Sequence, residues 1–241
     1  MTYTDFDLIV PDVHEKVDTV QNLLERYPDT RNNVFLGDYF DSFEWANSPK
    51  QWELTCELLV ELSKNPKNIL LVGNHDVHYF TDRIEYKCSG FNPAKYRMIN
   101  DILGKNWLTK NCQWCYTVQH AGRMTVLSHA GFAGKFLPPK KTPITEDFFT
   151  DVNIEISRNY STGTYEPRLR AGWGGGGYGT GGINWVDWNK EFEICPRIRQ
   201  IVGHTPGRTP RYKDDNLCLD THLNHVALMN INTGEIIIEK V

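Results

Sequence analysis

The first seventy-odd residues alternate short apolar runs with longer amphipathic ones, a pattern that few folds accept. Residues 7 to 11 (DLIVP) form an apolar run closed by Pro11, after which Val17, Val20, Leu23 and Leu24 recur at helical spacing until Pro28. NNVFLGD (32–38) is a second short run. KQWELTCELLVELSK (50–64) puts Trp52, Cys56, Leu59 and Leu62 on one side of a helix, and KNILLVGN (67–74) is a third run. The order is β-α-β-α-β. Each strand is almost continuously apolar, not alternating, which predicts a parallel sheet covered on both faces.

The second half changes character. CYTVQHAGRMTVLSHAG reads as a hairpin, with strands 115–119 and 123–128 around an Ala121-Gly122 turn. IRQIVGHTP, NLCLDT, HVALMNI and EIIIEKV are further strands, the last two joined by Asn-Thr-Gly. Between the two groups lies a long irregular stretch that includes GWGGGGYGTGG (172–182), eight Gly in eleven residues. So glycine-rich a segment is too flexible for a core, and a loop of this length is functional or disordered. With no internal repeat and no linker, residues 1–241 are expected to form one domain with two sheets.

A chain of 241 residues with 40% hydrophobic content can bury a real core. A net charge of −4 does not advertise a polyanion-coating protein and gives no strong nucleic-acid-binding signal. No apolar run approaches the roughly 20 residues of a membrane span. The opening MTYTDFDLIVPD lacks a basic-then-apolar leader pattern, so a cytoplasmic protein is expected. Six scattered cysteines are not needed as staples in a chain of this size. One C-x-x-C pair, Cys112 and Cys115, falls short of the four ligands zinc wants and reads as buried thiols entering a strand.

The polar residues gather where the strands end. Asp12-Val13-His14 follows the first strand, Gly37-Asp38 with Asp41 the second, and Gly73-Asn74-His75-Asp76 the third. Ser128-His129 closes the hairpin, and Gly203-His204-Thr205-Pro206 closes the strand at 198–202. One such group is explained by a cap or a turn. Five at the carboxyl ends of strands, where open α/β sheets bind ligands, point to one site. Mixed Asp, His and Asn donors without cysteine suit Mn²⁺, Fe or Zn²⁺. A single ion leaves donors over. Two ions roughly 3.5–4 Å apart, sharing a carboxylate, use them all, clamp an in-line displacement and turn a bridging water into a nucleophile.

These segments, DVH, GDYFD, GNHD, SHAG and GHTP, resemble the D-x-H, G-D-x-x-D, G-N-H-[DE], H, G-H signature of the calcineurin-like metallophosphoesterases. Within them the chain is most similar to the phosphoprotein phosphatase branch, particularly its compact bacterial and bacteriophage enzymes. The resemblance implies an α/β (α+β) four-layer sandwich, two mixed β-sheets flanked by helices. It further implies that Asp12 and His14 bind a first metal ion, that Asp38 bridges, and that Asn74, His129 and His204 complete a second. His75 would be the general acid, oriented and kept protonated by Asp41, a role that a carboxylate contact makes physically sensible. The expected cofactors are two divalent ions, Mn²⁺ first, with Fe or Zn²⁺ as alternatives.

Two departures bear on the substrate. Many phosphoprotein phosphatases continue G-D-x-x-D-R-G, and that Arg grips phosphate; here Ser42 follows Asp41 and cannot supply a bidentate charged fork. WVDWNKEFE (185–193) resembles the W-N-R-E segment of phage-type enzymes, which places Lys190 at the phosphate-contacting Arg, with Arg168 and Arg170 as back-ups. Pro206 replaces the second His of the broader G-H-x-H motif, as in the phosphoprotein phosphatase branch. Of the remaining histidines, His78 is read as a surface residue and His120 as solvated. His222, in a DTH where relatives carry DTG, is a candidate to approach the metals. Asp76 is expected to serve hydrogen bonding. Trp173, Tyr178, Trp185 and Trp188 are a lid or aromatic platform, or else core edges, and the basic excess over 168–213 would steer an anion.

The function expected is that of a phosphomonoesterase acting on phosphoserine and phosphothreonine in proteins. The alternative keeps the mechanism and takes dinucleoside polyphosphates, as in symmetrical diadenosine tetraphosphatases, or other nucleotide or nucleic-acid phosphates. An inactive binding module is the third reading; it sits poorly with six intact ligand positions.

Overall fold

The computed structural model describes residues 2–120 and 122–241. The chain begins β1 (Phe6–Val10), α1 (Val17–Arg26), β2 (Asn32–Phe35), α2 (Pro49–Lys64) and β3 (Asn68–Leu70). Three helices follow, α3 (Asn74–Val77), α4 (Pro93–Ile102) and α5 (Trp107–Asn111), then the hairpin β4 (Cys115–His120) and β5 (Arg123–Ser128). After α6 (Glu146–Thr162) come β6 (Arg199–Val202), β7 (Arg211–Lys213), β8 (Asn216–Cys218), β9 (His225–Asn230) and β10 (Ile236–Lys240).

Among the described residues, ten strands make two mixed five-stranded sheets, in the orders β10-β9-β1-β2-β3 and β4-β5-β6-β8-β7. The expected parallel sheet is present as β1, β2 and β3, with Val10 beside Phe35 and Phe35 beside Leu70, and antiparallel β9 and β10 extend it. In the second sheet β5, β6 and β8 are parallel, with β4 and β7 antiparallel at its edges.

Continuous apolarity in the strands has a direct cause. Leu8 and Val10 join Val20, Leu23, Leu59 and Leu62 in the helix-facing cluster, whereas Ile9, Val34, Leu36 and Leu71 join Val118, Leu127, Ile201 and Leu217 between the sheets. Both parities of a strand are therefore buried, each large aliphatic side chain contributing roughly 1.5–3 kcal/mol. The outer face of the second sheet, Val202 and Cys218, is covered by Val186, Trp188 and Phe192 from an irregular segment.

Two expectations are corrected, for the irregular stretch and for His120, and the glycine-rich loop, open between functional and disordered in the sequence, is found ordered. The stretch between the two halves is not wholly irregular, since α6 occupies 17 of its residues. Its β-branched and aromatic content hides it from a propensity reading, yet its buried residues Phe149, Val152, Ile156 and Tyr160 fall on one face between a Thr145 cap and Gly163 at φ 68°. The glycine-rich loop is organised around one carboxylate: Glu191 accepts from the N–H groups of Trp173 and Gly181, and Arg170 donates to the carbonyls of Tyr178 and Thr180. His120 is buried, its Nε2 2.6 Å from Thr125 Oγ1. The Ala121 half of the hairpin turn lies outside the described residues.

Candidate active site

Parallel strands deliver their carboxyl ends to one rim. Asp12 and His14 follow β1, Asp38 and Asp41 follow β2, and Asn74 opens α3 just after β3. His129 follows β5, and His204 follows β6. Among the described non-glycine residues, eight have left-handed φ, and they include His14 (44°), Asp38 (50°), Asp41 (67°) and His204 (68°). Such backbone costs about 1–3 kcal/mol per residue and survives only where the surroundings enforce it. Close packing does so here. A Cβ on Gly73 would strike the Asp38 carboxylate, and one on Gly203 would strike that of Asp12. Asp76, as expected, is structural: its carboxylate accepts from the N–H groups of Gly73, Asp38 and Tyr39, locking the second and third loops together.

All six sequence-predicted ligand positions come together. The ligand atoms of Asp12, His14 and Asp38 lie within 4.8 Å of one another, as do those of Asp38, His129 and His204, so Asp38 belongs to both groups. Asn74 Oδ1 sits 2.9 Å from His129 Nε2 and 2.8 Å from His204 Nδ1. Tautomers decide what these approaches mean. His129 Nδ1 donates to the Leu36 carbonyl, and His14 Nδ1 to that of Phe40. Burial holds both imidazoles below their ordinary pKa, His14 at about 4 and His129 well below it. Each is therefore neutral with a bare Nε2. The bare Nε2 of His129 faces Asn74 Oδ1 and, at 3.4 Å, Asp38 Oδ2; that of His14 lies 3.8 Å from Asp38 Oδ2.

Acceptor facing acceptor in a buried pocket is repulsive unless a cation lies between. The carboxylates say the same: burial, with Asp220 and Asp38 nearby, pushes Asp12 well above its usual range, and burial pushes Asp38 to about 7. The donor set therefore fits metal ions. Oxygen and imidazole ligands in a 4.8 Å cluster match Mn²⁺, Fe or Zn²⁺ chemistry.

Beside these groups stands the expected acid pair. His75 Nδ1 donates to Asp41 Oδ2 at 2.9 Å, and the His75 backbone N–H donates to Asp38 Oδ1 at 2.9 Å. Burial acts to lower the His75 pKa, but the Asp38 charge and the Asp41 hydrogen bond outweigh it and hold the ring protonated. Burial likewise opposes ionisation of Asp41, yet bonds from His75 and His78 keep it far below the usual carboxylate range.

Several residues of this site were missed in the sequence. His78 is not a surface residue; it is fully buried, with Nε2 2.9 Å from Asp41 Oδ2. Asp41 Oδ1 accepts from Tyr79 Oη and from Lys95 Nζ, and Lys95, only 1% exposed, also donates to Glu15 Oε1 at 2.6 Å. Glu15 in turn accepts the Asp41 N–H. Removing one partner of a buried ion pair strands the other's charge. Lys95→Met is thus expected to lower unfolding stability by about 3–5 kcal/mol, and the double variant Lys95→Met/Glu15→Gln to recover part of that loss in denaturant titrations. Simple additivity of the two changes would show that the triad is not coupled.

A cleft of about 360 Å³ opens over the site, lined by candidate ligands and His75 together with Lys16, Ser42, Phe43, Trp185, Asp220 and His222. Lys16 is the one lysine or arginine among those lining residues. Lys190 is exposed and does not line the cleft; its N–H caps onto Asp187. Arg168 pairs with Glu166 and Glu155, and Arg197, Arg199 and Arg211 are bound to carbonyls, so much of the basic excess is structural. Of the four aromatic residues around the glycine-rich loop, Trp185 reaches the cleft, 5.7 Å from the His204 ring, whereas Trp188 is core and Trp173 and Tyr178 are exposed.

No match is found among curated protein sequences. In solved structures, the cold-active protein-tyrosine phosphatase of a Shewanella species superposes with TM-score 0.64 at 14% identity, covering 98% of this chain and 77% of that one. A protein serine/threonine phosphatase from Saccharomyces cerevisiae gives TM-score 0.55 at 14% identity, covering 99% and 80%. Likeness at that identity is likeness of fold. The sequence profile described as calcineurin-like phosphoesterase, however, matches residues 8–207, the span from β1 through the last candidate ligand, His204. This chain belongs to the calcineurin-like phosphoesterases, a family of metal-dependent hydrolases of phosphoric esters.

Proposed function

We propose that the chain is a two-ion phosphomonoesterase that removes phosphate from serine and threonine side chains of proteins. Asp12, His14 and Asp38 would hold one ion, and Asp38, Asn74, His129 and His204 the other, with Mn²⁺ the expected metal. The observation that carries this reading is the set of bare imidazole nitrogens and carboxylate oxygens turned on one another at one strand rim, with a protonated His75 beside them. When bound, such ions polarise phosphoryl oxygens and activate water. The chain's own residues do the rest. His75, anchored through Nδ1 on Asp41, presents its other nitrogen to the cleft and gives a proton to the departing alkoxide. An open cleft admits a phosphorylated side chain that projects from a peptide. Six free cysteines accord with the cytoplasmic setting expected from the sequence.

Lys16 takes the place of the absent arginine as the phosphate-binding cation, because it is the basic residue on the cleft wall, and its exposed bond to the His222 carbonyl, itself on that wall, can be exchanged for a phosphate oxygen. Lys16→Met is expected to raise KM about 10- to 100-fold, the value of one charge-assisted hydrogen bond, with metal content unchanged, and Lys190→Met to leave KM alone. A KM loss that follows Lys190 instead would restore the assignment made from the sequence.

A second reading, a dinucleoside polyphosphate hydrolase, is favoured by Phe43 and Trp185, aromatic residues on the cleft wall, Phe43 being 90% exposed. A panel of phosphoserine, phosphothreonine and phosphotyrosine peptides, p-nitrophenyl phosphate and diadenosine tetraphosphate, run with the metal content measured, separates the two. Turnover of the dinucleotide alone defeats the protein-phosphatase reading.

A further inference from the structure

Next to the acid pair lies a thiol, Cys88, that the reaction does not use. Cys88 Sγ is 3.2 Å from His78 Nδ1 and 3.9 Å from His75 Nδ1, and the three donor atoms fall within 4.8 Å of one another. A tetrahedral zinc ion with Zn–S of about 2.3 Å and Zn–N of about 2.0–2.1 Å sets its sulfur and nitrogen ligands about 3.6 Å apart. The two observed separations bracket that value.

The tautomer of His78 is already the one such an ion needs. Its Nε2 faces Asp41 Oδ2 at 2.9 Å, and its Nδ1 accepts the Cys88 backbone N–H, so the lone pair is on Nδ1, on the side of the thiol. A carboxylate holding the far nitrogen of a histidine is the arrangement that orients zinc-bound imidazoles. The donor set, one thiol and two imidazoles, is softer than the oxygen-rich clusters around Asp38 and selects zinc over manganese. Cys88 is half-buried beside Ser89 on the cleft wall, which leaves a path for an ion and a water to complete four ligands.

We propose that Cys88, His78 and His75 form an inhibitory zinc site, separate from the two-ion centre. Binding displaces the thiol proton of Cys88 and the Nδ1 proton of His75. The His75 ring then points its Nδ1 at zinc and no longer at Asp41. The zinc-bound ring keeps its Nε2–H, but a neutral imidazole is a far weaker acid than the imidazolium held by Asp41, so zinc at this position suppresses proton delivery to the leaving group without touching Asp12, Asp38 or His129. The inhibitory consequence rests on the function proposed above; the binding does not.

Cobalt reports on the site, because the candidate ligands of the two-ion centre include no sulfur. In a Co²⁺ titration of the metal-stripped full chain, a thiolate-to-cobalt charge-transfer band is expected to grow with the third equivalent. It should be absent in Cys88→Ser and weakened in His78→Asn, while the first two equivalents still bind in equilibrium dialysis. With the Mn²⁺-loaded protein and a phosphoserine peptide, Zn²⁺ should inhibit the wild type, and Cys88→Ser should need at least about tenfold more Zn²⁺ for half-inhibition, the low end of the 10–100-fold effects of perturbing a metal site. Each variant is measured against its own zinc-free rate. A wild type that takes up two equivalents without a sulfur band, or a band that survives in Cys88→Ser, overturns the site. A band with unchanged zinc sensitivity in Cys88→Ser overturns the inhibition. If the chain hydrolyses no phosphoester at all, the proposed function falls while the cobalt band still reads the site.

Discussion

Asp38→Asn is expected to lose metal and activity together: fewer than two ions per chain after dialysis against Mn²⁺, and turnover lower by on the order of 10³-fold or more. Asp38 is the residue shared by both candidate ligand groups, its two oxygens already divided between the His75 N–H and the imidazoles of His14 and His129. An amide is close to the same shape, so the loop closed by Gly37 and Gly73 should persist and the loss should be one of charge. The pH dependence of stability checks this. In the metal-stripped wild type, burial raises Asp38 to about 7, above the 3.8 of a free carboxyl, so the folded state holds its proton more tightly than the unfolded state does. The contribution of Asp38 to the stability of the stripped protein should then be fully present at acid pH and be lost as pH rises toward 7. Adding ions should reverse the trend, since they bind the ionised form. Asp38→Asn should flatten both curves. Two ions retained by the variant would show that Asp38 does not bridge.

How far the sequence carried the reading depends on what each residue leaves as a local mark. The clustering of the candidate ligand positions was legible because each follows an apolar run directly, Gly37-Asp38 after NNVFL and Gly203-His204 after IRQIV, and the parallel order of β1, β2, β3, β5 and β6 then makes their ends coincide. The same local mark gave the strands and α1 and α2 to within a few residues. It failed at α6, whose Phe, Val, Ile and Thr residues have weak helix propensity and whose helicity comes from burying one face and from its two caps.

Lys95 illustrates a deeper limit. Nothing in PAKYRMINDI marks its lysine as different from a solvated one; it becomes a buried partner of Asp41 and Glu15 only because α4 packs under the second loop. His78 was misread for the same reason, since spacing along the chain does not reveal Asp41, 37 residues earlier. The choice of Lys190, with Arg168 and Arg170 behind it, shows the reverse limit: a motif fixed the position, whereas the basic residue on the cleft wall, Lys16, comes from the loop after β1 and carries no such mark. The glycine-rich loop reads only as functional or disordered because glycine removes local preference, and Glu191 supplies the order from outside the segment.

His75→Asn should separate chemistry from metal binding. For phosphoserine peptides and other alkyl phosphates, whose leaving oxygen needs a proton, turnover should fall about 10²- to 10⁴-fold. For p-nitrophenyl phosphate, whose leaving group departs as a stable anion, the loss should be far smaller. Metal content should stay near that of the wild type, because the tie from this residue to Asp38 is the backbone N–H, which asparagine keeps. Asparagine also retains a side-chain donor toward Asp41, so the carboxylate held by Lys95, Tyr79 and His78 is not left bare and the fold should survive. The contrast between substrates is the decisive reading. A general acid acts on the leaving group, so its removal must steepen the dependence of rate on leaving-group acidity, whereas a residue that merely shapes the pocket slows every ester alike. Equal slowing of the alkyl and nitrophenyl esters, with both ions still bound, would mean that His75 positions substrate and that the proton comes from another group on the cleft wall.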